Sequence, residues 1–309
     1  VEALEACQEL AMETDVIVGL THLEIAQDLA LAAKLPQVPL IMGGHDHNHM
    51  KHQVGNTTVA KADANVKSAY VHTLYYDKQT RKSRVSSRLV KIDTSFADDP
   101  AVAQTVRKWS LILKNNIKEI FPKPYKVIYQ AKTPLDGRES TNRLQQTNLG
   151  QVITQAMSKA AQQKVDCAFV NSGSIRIDDQ LSGDITAVDI FRTLPYGGYL
   201  VEIDMKGDLL QKVLEEGRTK QGRGAYLQLH QARYSERQSI WTINGKPLNP
   251  EQDYHVITTD FLLLGLDLES LTVDAPGVIK ITRPNETDKT DLRNDIRLVI
   301  IDYLEHEQG

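Results

Sequence analysis

Short apolar runs and longer amphipathic runs alternate from the start of the chain. Asp15-Val16-Ile17-Val18-Gly19-Leu20 and Val38 to Met42 read as buried strands, with a helix before the first. Between them Leu23 to Leu35, rich in Ala and Leu, predicts a helix stopped by Pro36. Ala69 to Asp77 and Arg84 to Ile92 are β-branched and aromatic runs around a turn-like Lys78 to Lys82, the pattern of a hairpin. Asp98-Asp99-Pro100 then opens a long helix, with an aspartate as cap and the proline in the first turn. Val102, Val106, Trp109, Leu113 and Ile117 recur along it at three- and four-residue steps, and Pro122 and Pro124 end it.

From Tyr125 the pattern is mixed α/β. Helices are predicted over Gln146 to Gln163, Ile185 to Leu194, Lys206 to Gly217 and Asp291 to Glu307. Strands are predicted over Val165 to Val170, Tyr199 to Met205, Ala225 to Leu229, Ser239 to Ile243 and Tyr254 to Thr259. Gly217 is expected to close its helix as a C-terminal glycine. In the last helix Ile296, Val299, Ile300, Tyr303 and Leu304 share one face.

Composition adds bounds rather than chemistry. With 309 residues, 41% apolar and 25% charged, the chain is an ordinary globular sequence long enough for two cores. A net charge of −4 gives no electrostatic reason to expect a nucleic-acid polymer as partner. Cys7 and Cys167 sit in apolar settings and read as buried free thiols. No stretch is long and apolar enough to span a membrane.

Candidate metal chemistry lies at Met42-Gly43-Gly44-His45-Asp46-His47-Asn48-His49. His45 and His47, two apart on what reads as extended chain, would face one side, and imidazole suits Zn, Mn, Fe, Co or Ni. His22 follows the neighbouring strand-like run, so all three follow the carboxyl ends of strands, where open α/β sheets build sites. Asp46 is expected to point away and Asp28 lies inside the next helix, which leaves no acidic cluster beside them. His49, His52, His72, His230, His255 and His306 read as ordinary solvated histidines.

These residues carry a resemblance. Leu20-Thr21-His22-Leu23 and Gly44-His45-Asp46-His47 resemble the last two ligand blocks of the calcineurin-like metallophosphoesterases. The later sequence narrows the likeness to the 5′-nucleotidase family, in which that domain precedes a nucleotide-binding domain. The family's earlier Asp-x-His, Gly-Asp and Gly-Asn-His-Asp/Glu blocks, which supply the remaining ligands and the catalytic histidine, are absent here. The resemblance implies that they lie upstream of Val1, and that the chain is a C-terminal portion of a longer protein with no catalytic residue of its own. Its expected parts are residues 1–97 from a metallophosphoesterase β-sandwich flanked by helices, a linker helix over 98–123, and a mixed α/β nucleotide-binding domain over 124–309.

Four later segments match the family's nucleotide-binding domain. Asn142-Arg143-Leu144 supplies a substrate-facing arginine, which Arg138 could assist. Val170-Asn171-Ser172-Gly173-Ser174-Ile175-Arg176 stands for Asn-Gly-Gly-Gly-Ile-Arg, with Asn171 and Arg176 as ligand donors. Serines replace two glycines there, and a positive φ at Ser172 or Ser174 would cost energy. Leu194-Pro195-Tyr196-Gly197-Gly198 and Thr259-Asp260-Phe261 supply the aromatics that would sandwich a base, with Asp267 holding the ribose hydroxyls. Gly198 has no side chain where some relatives hydrogen-bond the base. Leu266 and Leu268 replace two glycines beside Asp267.

The resemblance implies a secreted, periplasmic or cell-surface 5′-nucleotidase-like phosphohydrolase. It would use two divalent metal ions, act on nucleotides, and bind a nucleotide or nucleoside as its small-molecule partner. With only His22, His45 and His47 of the ligands, the chain itself is expected to bind but not hydrolyse. A 2′,3′-cyclic nucleotide phosphodiesterase, a nucleotide-sugar pyrophosphatase and a non-catalytic nucleotide-binding surface module remain as rivals.

Overall fold

A computed structural model describes residues 2–306. Val1, the expected boundary with the missing blocks, and Glu307, the expected end of the last helix, lie outside the described residues. The chain divides into two compact units between Val106 and Arg107.

The first unit holds α1 (Glu2–Leu10), β1 (Gly19–Thr21), α2 (Ile25–Lys34), β2 (Leu40–Gly43), β3 (Met50–Val54), β4 (Thr57–Lys61), β5 (Ser68–Asp77) and β6 (Lys82–Lys91). The start of α3 (Pro100–Ile120) also belongs to it. Strand order is β1-β2-β4-β3, with β1, β2 and β4 parallel and β3 antiparallel. β1 is confined to the three residues that pair with Ile41–Gly43, so the strand is shorter than the apolar run from Asp15 suggests. Ala32, Leu35, Val38, Ile41 and Val59 form the core, with Leu4 and Cys7 of α1 packed on it. β5 and β6 form the expected hairpin, paired from Ser68↔Lys91 to Asp77↔Lys82. Asp99 caps α3 by accepting from the backbone of Ala101 and Val102 at 2.9 and 3.0 Å.

The second unit follows with β7 (Val127–Asp136), α4 (Glu139–Asn142), α5 (Asn148–Ala160), β8 (Cys167–Asn171), β9 (Gln180–Thr186) and α6 (Ala187–Thr193). It continues with β10 (Leu200–Lys206), α7 (Gly207–Thr219), β11 (Leu227–His230), β12 (Ala232–Ser235), β13 (Ile240–Ile243) and β14 (Lys246–Pro247). β15 (Asp253–Thr259), β16 (Val278–Thr282) and α8 (Ile296–His306) complete it. Its central sheet has the order β11-β8-β15-β10-β16 and is mixed: β8 and β15 run parallel, the other pairs antiparallel. The fold class is thus the expected mixed α/β.

Both faces of this sheet are covered, and successive residues feed opposite cores. Along β8, Ala168 and Val170 join Ile153, Met157, Val299 and Ile300 of α5 and α8. Cys167 and Phe169 join Leu210 and Val213 of α7 and Trp241 of β13. Burial pushes the Cys167 thiol far up, which leaves it inert.

One helix end departs from expectation. α7 runs on to Thr219, and Gly217 is buried inside it rather than closing it. A Cβ there would lie 2.5 Å from Leu227 Cγ and Cδ1, so glycine lets α7 press onto β11.

One polar cluster is built into the unit. Glu202, almost wholly buried on β10, accepts from Arg293 at 2.6 Å and meets His255 Nε2 at 3.0 Å. His255 Nδ1 lies 2.5 Å from Asp204. Burial opposes protonation of His255, but the two carboxylates outweigh it and raise its pKa. This histidine is a structural member of the sheet, contrary to the expectation of a solvated one.

Candidate functional site

β8 delivers Asn171 to the start of the site. The residues after it form a 3-10 turn, Ser172–Ser174, and no positive φ occurs in it. The serines therefore escape the expected strain, and both hydroxyls are used. Ser172 donates to the carbonyls of Arg223 and Gly224 at 3.3 and 3.2 Å, and Ser174 donates to Asn171 Oδ1 at 2.7 Å. Gly173 is the glycine the turn requires: a Cβ there would stand 3.1 Å from Gly224 Cα and O.

Asn171 Nδ2 donates to Asp267 Oδ2 at 2.8 Å, which joins two residues 96 positions apart. The loop carrying Asp267 is pinned despite its substitutions. Leu268 is buried in the core and Leu266 points outward, 72% exposed, so neither leucine competes with Asp267 for space.

Tyr196 and Phe261 line one cavity of about 420 Å³ together with Asn171, Gly173, Ser174, Leu194, Gly198, Asp260 and Ile296. Tyr196 is 79% and Phe261 37% exposed, so neither ring is spent on the core. Gly197 and Gly198 take φ of +64° and +100°, and Gly198 O accepts from Ile296 N at 2.9 Å, which ties the turn to α8. Burial raises the pKa of Asp260; the backbone of Phe261, Asp260 and Tyr199 partly offsets it.

The two arginines converge elsewhere, on Glu139. Its Oε1 accepts from Arg143 at 2.6 Å and lies 3.5 Å from Arg176. Sequence reasoning does not single out Glu139, although its i, i+4 spacing to Arg143 is the signal for such a pair. Arg138 faces another way and forks onto Asp136 at 2.9 and 2.6 Å. The Arg143 segment is held by Gln228 of β11. Its Nε2 donates to Asn142 O and Gln145 O at 2.6 and 2.8 Å, and its Oε1 accepts from Thr147 N at 2.9 Å.

In the first unit His22 and His45 meet edge to face, with ring centroids 5.3 Å apart. His45 and His47 both have positive φ, +78° and +61°, so the chain there is a tight turn and not the expected extended segment. Among the described residues no three His, Cys, Asp or Glu side chains form a group that could hold a metal ion. His22, His45 and His47 therefore do not by themselves fit a metal pair. Asp46, expected to point away, instead pairs with the buried Lys61, which also reaches Asp28 at 2.8 Å and Leu23 O at 2.5 Å. A lone lysine inside Thr57-Thr58-Val59-Ala60-Lys61 gives no sequence signal of that role.

Residues 127–272 match the family model described as 5′-nucleotidase, C-terminal domain. The chain is 29% identical over 290 residues to the trifunctional nucleotide phosphoesterase protein YfkN of Bacillus subtilis (strain 168), covering 84% of this chain and 19% of that protein. It is 25% identical over 247 residues to the 5′-nucleotidase of Homo sapiens, covering 69% of this chain and 42% of that one. It is 35% identical over 137 residues to protein UshA of Yersinia enterocolitica, covering 43% and 24%. The chain thus spans less than half the length of these curated relatives. The solved 5′-nucleotidase precursor of Thermus thermophilus superposes with a TM-score of 0.79 at 23% identity, over 99% of this chain and 64% of that one. The sulfate thiohydrolase SoxB of Thermus thermophilus gives 0.69 at 18%, over 98% and 54%. At these identities the structural likeness is one of fold.

Proposed function

We propose, from the match of residues 127–272 to the 5′-nucleotidase C-terminal domain model, that the second unit holds the nucleoside of a nucleotide for a phosphohydrolase of which this chain is part. The cavity between Tyr196 and Phe261 carries this reading. Its volume of about 420 Å³ lies within the usual range of small-molecule sites. Two exposed aromatics on one cavity suit a flat base stacked between them. Asp267 would accept ribose hydroxyls, held in place by Asn171. Arg143 and Arg176 share one carboxylate, so the trio keeps a net positive charge for a phosphate. The names of the relatives, nucleotide phosphoesterase and 5′-nucleotidase, support the substrate class.

No catalytic step is assigned to the first unit. Its three candidate histidines do not form a metal-holding group, so hydrolysis dependent on two divalent ions would need further ligands. We therefore expect this chain to bind nucleosides and nucleotides without turning them over. On the same reading the whole protein is expected in the periplasm or at the cell surface. Among the described residues no helix is long and apolar enough to cross a membrane.

Calorimetry with nucleosides and nucleoside monophosphates tests the binding half. Phe261→Ala should weaken nucleoside binding by about 1–3 kcal/mol, the worth of one stacking partner, with the midpoint of unfolding unchanged. A variant that unfolds more readily but binds as tightly per folded molecule would make Phe261 a packing residue and end the proposal. A phosphate-release assay with added Mn²⁺, Co²⁺ or Zn²⁺ tests the other half. Turnover that His45→Ala abolishes would refute the expected inactivity.

A further inference from the structure

The cavity contains one charged residue whose chemistry the aromatic clamp does not use. Among the described residues that line it, Asp260 alone carries a charge. It directly precedes Phe261, and its backbone N–H donates to Tyr199 O at 3.0 Å, so it sits where the two aromatic segments meet. Across from it stands Gly198. A Cβ on Gly198 would fall 2.7 Å from Asp260 Oδ1. The carboxylate thus fills the space that any side chain at 198 would take. Of the other polar side chains on this cavity, Asn171 is committed to Asp267 and Ser174, whereas the buried Thr259 hydroxyl has no partner among the described residues but carries no charge.

We propose that Asp260 reads the hydrogen-bonding edge of the stacked base and selects guanine over the other nucleobases. The inference rests on the nucleoside-binding reading above. A base held between Tyr196 and Phe261 turns its edge toward the residues that join their segments, and Asp260 is the charged one. A carboxylate offers two adjacent acceptors and no donor. Guanine presents two adjacent donors, N1–H and the N2 amine, and each oxygen can take one. Adenine and cytosine present a donor beside a ring nitrogen lone pair, which would face the second oxygen. Hypoxanthine keeps N1–H but lacks the amine, and uracil sets its one N–H between two carbonyls. Burial disfavours the Asp260 carboxylate, and the backbone N–H groups of Phe261, Asp260 and Tyr199 only partly offset that, so a ligand that brings two further donors gains there.

Equilibrium binding of guanosine, inosine, adenosine and uridine to the 309-residue chain decides the matter. Guanosine should bind about tenfold tighter than inosine, the worth of one hydrogen bond to a charged acceptor, and tighter still than adenosine or uridine. Asp260→Asn, which keeps the shape, should bring guanosine down to the level of inosine. Gly198→Ala, which crowds the carboxylate, should act in the same direction. Equal affinities for guanosine and adenosine would overturn the inference while leaving the stacking clamp standing. So would a guanosine preference that survives in Asp260→Asn. Absence of binding by all four nucleosides would overturn both readings. The nucleoside order of the unsubstituted chain needs no variant, so it decides even where a substitution impairs folding.

Discussion

Replacing Gln228 by Ala should be among the most damaging single changes in the second unit. Gln228 is fully buried on β11 and makes three hydrogen bonds to the segment that carries Arg143. Truncation leaves the carbonyls of Asn142 and Gln145 and the N–H of Thr147 without that partner. Each orphaned buried group costs about 1–3 kcal/mol, and water entering the vacated space recovers part of the sum. A net loss of about 3–5 kcal/mol follows, a large share of the stability of an ordinary domain. Trp241 reports on the transition, because it packs in the same core as Leu227 and Leu229, the strand neighbours of Gln228. With a urea dependence of about 2 kcal/mol per M, the midpoint should fall by about 1.5–2.5 M at constant slope. Gln228→Glu keeps the acceptor for Thr147 but sets a carboxylate against two carbonyls, so it should be no better than the alanine variant. A midpoint shift below about 0.5 M for Gln228→Ala, or a clear advantage for Gln228→Glu, would refute this assignment.

Other outcomes follow from the buried charges. Lys61→Met should destabilise the first unit by about 3–5 kcal/mol, since it strands Asp28 and Asp46 without their cation; adding Asp28→Asn should recover part of the loss in thermal unfolding, and no recovery would mean that Lys61 acts through packing alone. His255 titrates above its ordinary value in the folded protein, so its contribution is complete below the unfolded pKa of about 6.5 and is lost as pH rises through the raised folded value. The stability gap between the parent chain and His255→Gln should therefore be widest below the unfolded pKa of about 6.5 and close as pH rises through the raised folded value; a gap that does not change with pH in urea unfolding would assign it to shape rather than charge.

Much of the architecture is legible in the apolar pattern, because the elements it marks bury one or both faces. β8 and β15 read as strands from continuous apolar runs, and α8 from its single apolar face. Elements that bury little escape. β7 and β9 pair into a ribbon interrupted by register shifts, and mostly exposed polar residues hide their period. β16 is an edge strand with two exposed positions and reads as loop for the same reason. Helix starts slip by two residues where the true signal is a cap: Thr147 begins α5 and Thr186, with Asp189, begins α6. In the site, Tyr196, Phe261 and Asn171 are cavity candidates through the family resemblance, since residue type alone reads an aromatic beside strands as core and the Asn171 segment as a turn. Gln228 and Lys61 are invisible, because each acts through partners that no local pattern marks, whereas Glu139 has a local signal only toward Arg143 and none toward Arg176. The histidine turn differs from its reading because alternation in the letters says nothing of a positive φ at His45 and His47.

The contact between Gly173 and Gly224 sorts the surrounding positions by their freedom to vary. Two backbones approach closely there, and a methyl group on either would require the other to give by a few tenths of an ångström. The positions flanking Gly173 carry no such limit, as the hydroxyls of Ser172 and Ser174 find acceptors in the segments of chain that already surround them. Substitutions should therefore accumulate around the contact and not at it, and a side chain at 173 could be accommodated only by a matching shift of the 222–226 loop. Because Gly222 N also donates to Arg143 O at 2.8 Å, that shift would carry the arginine with it. A single pair of glycines thus couples the inheritance of two segments that lie far apart in the chain.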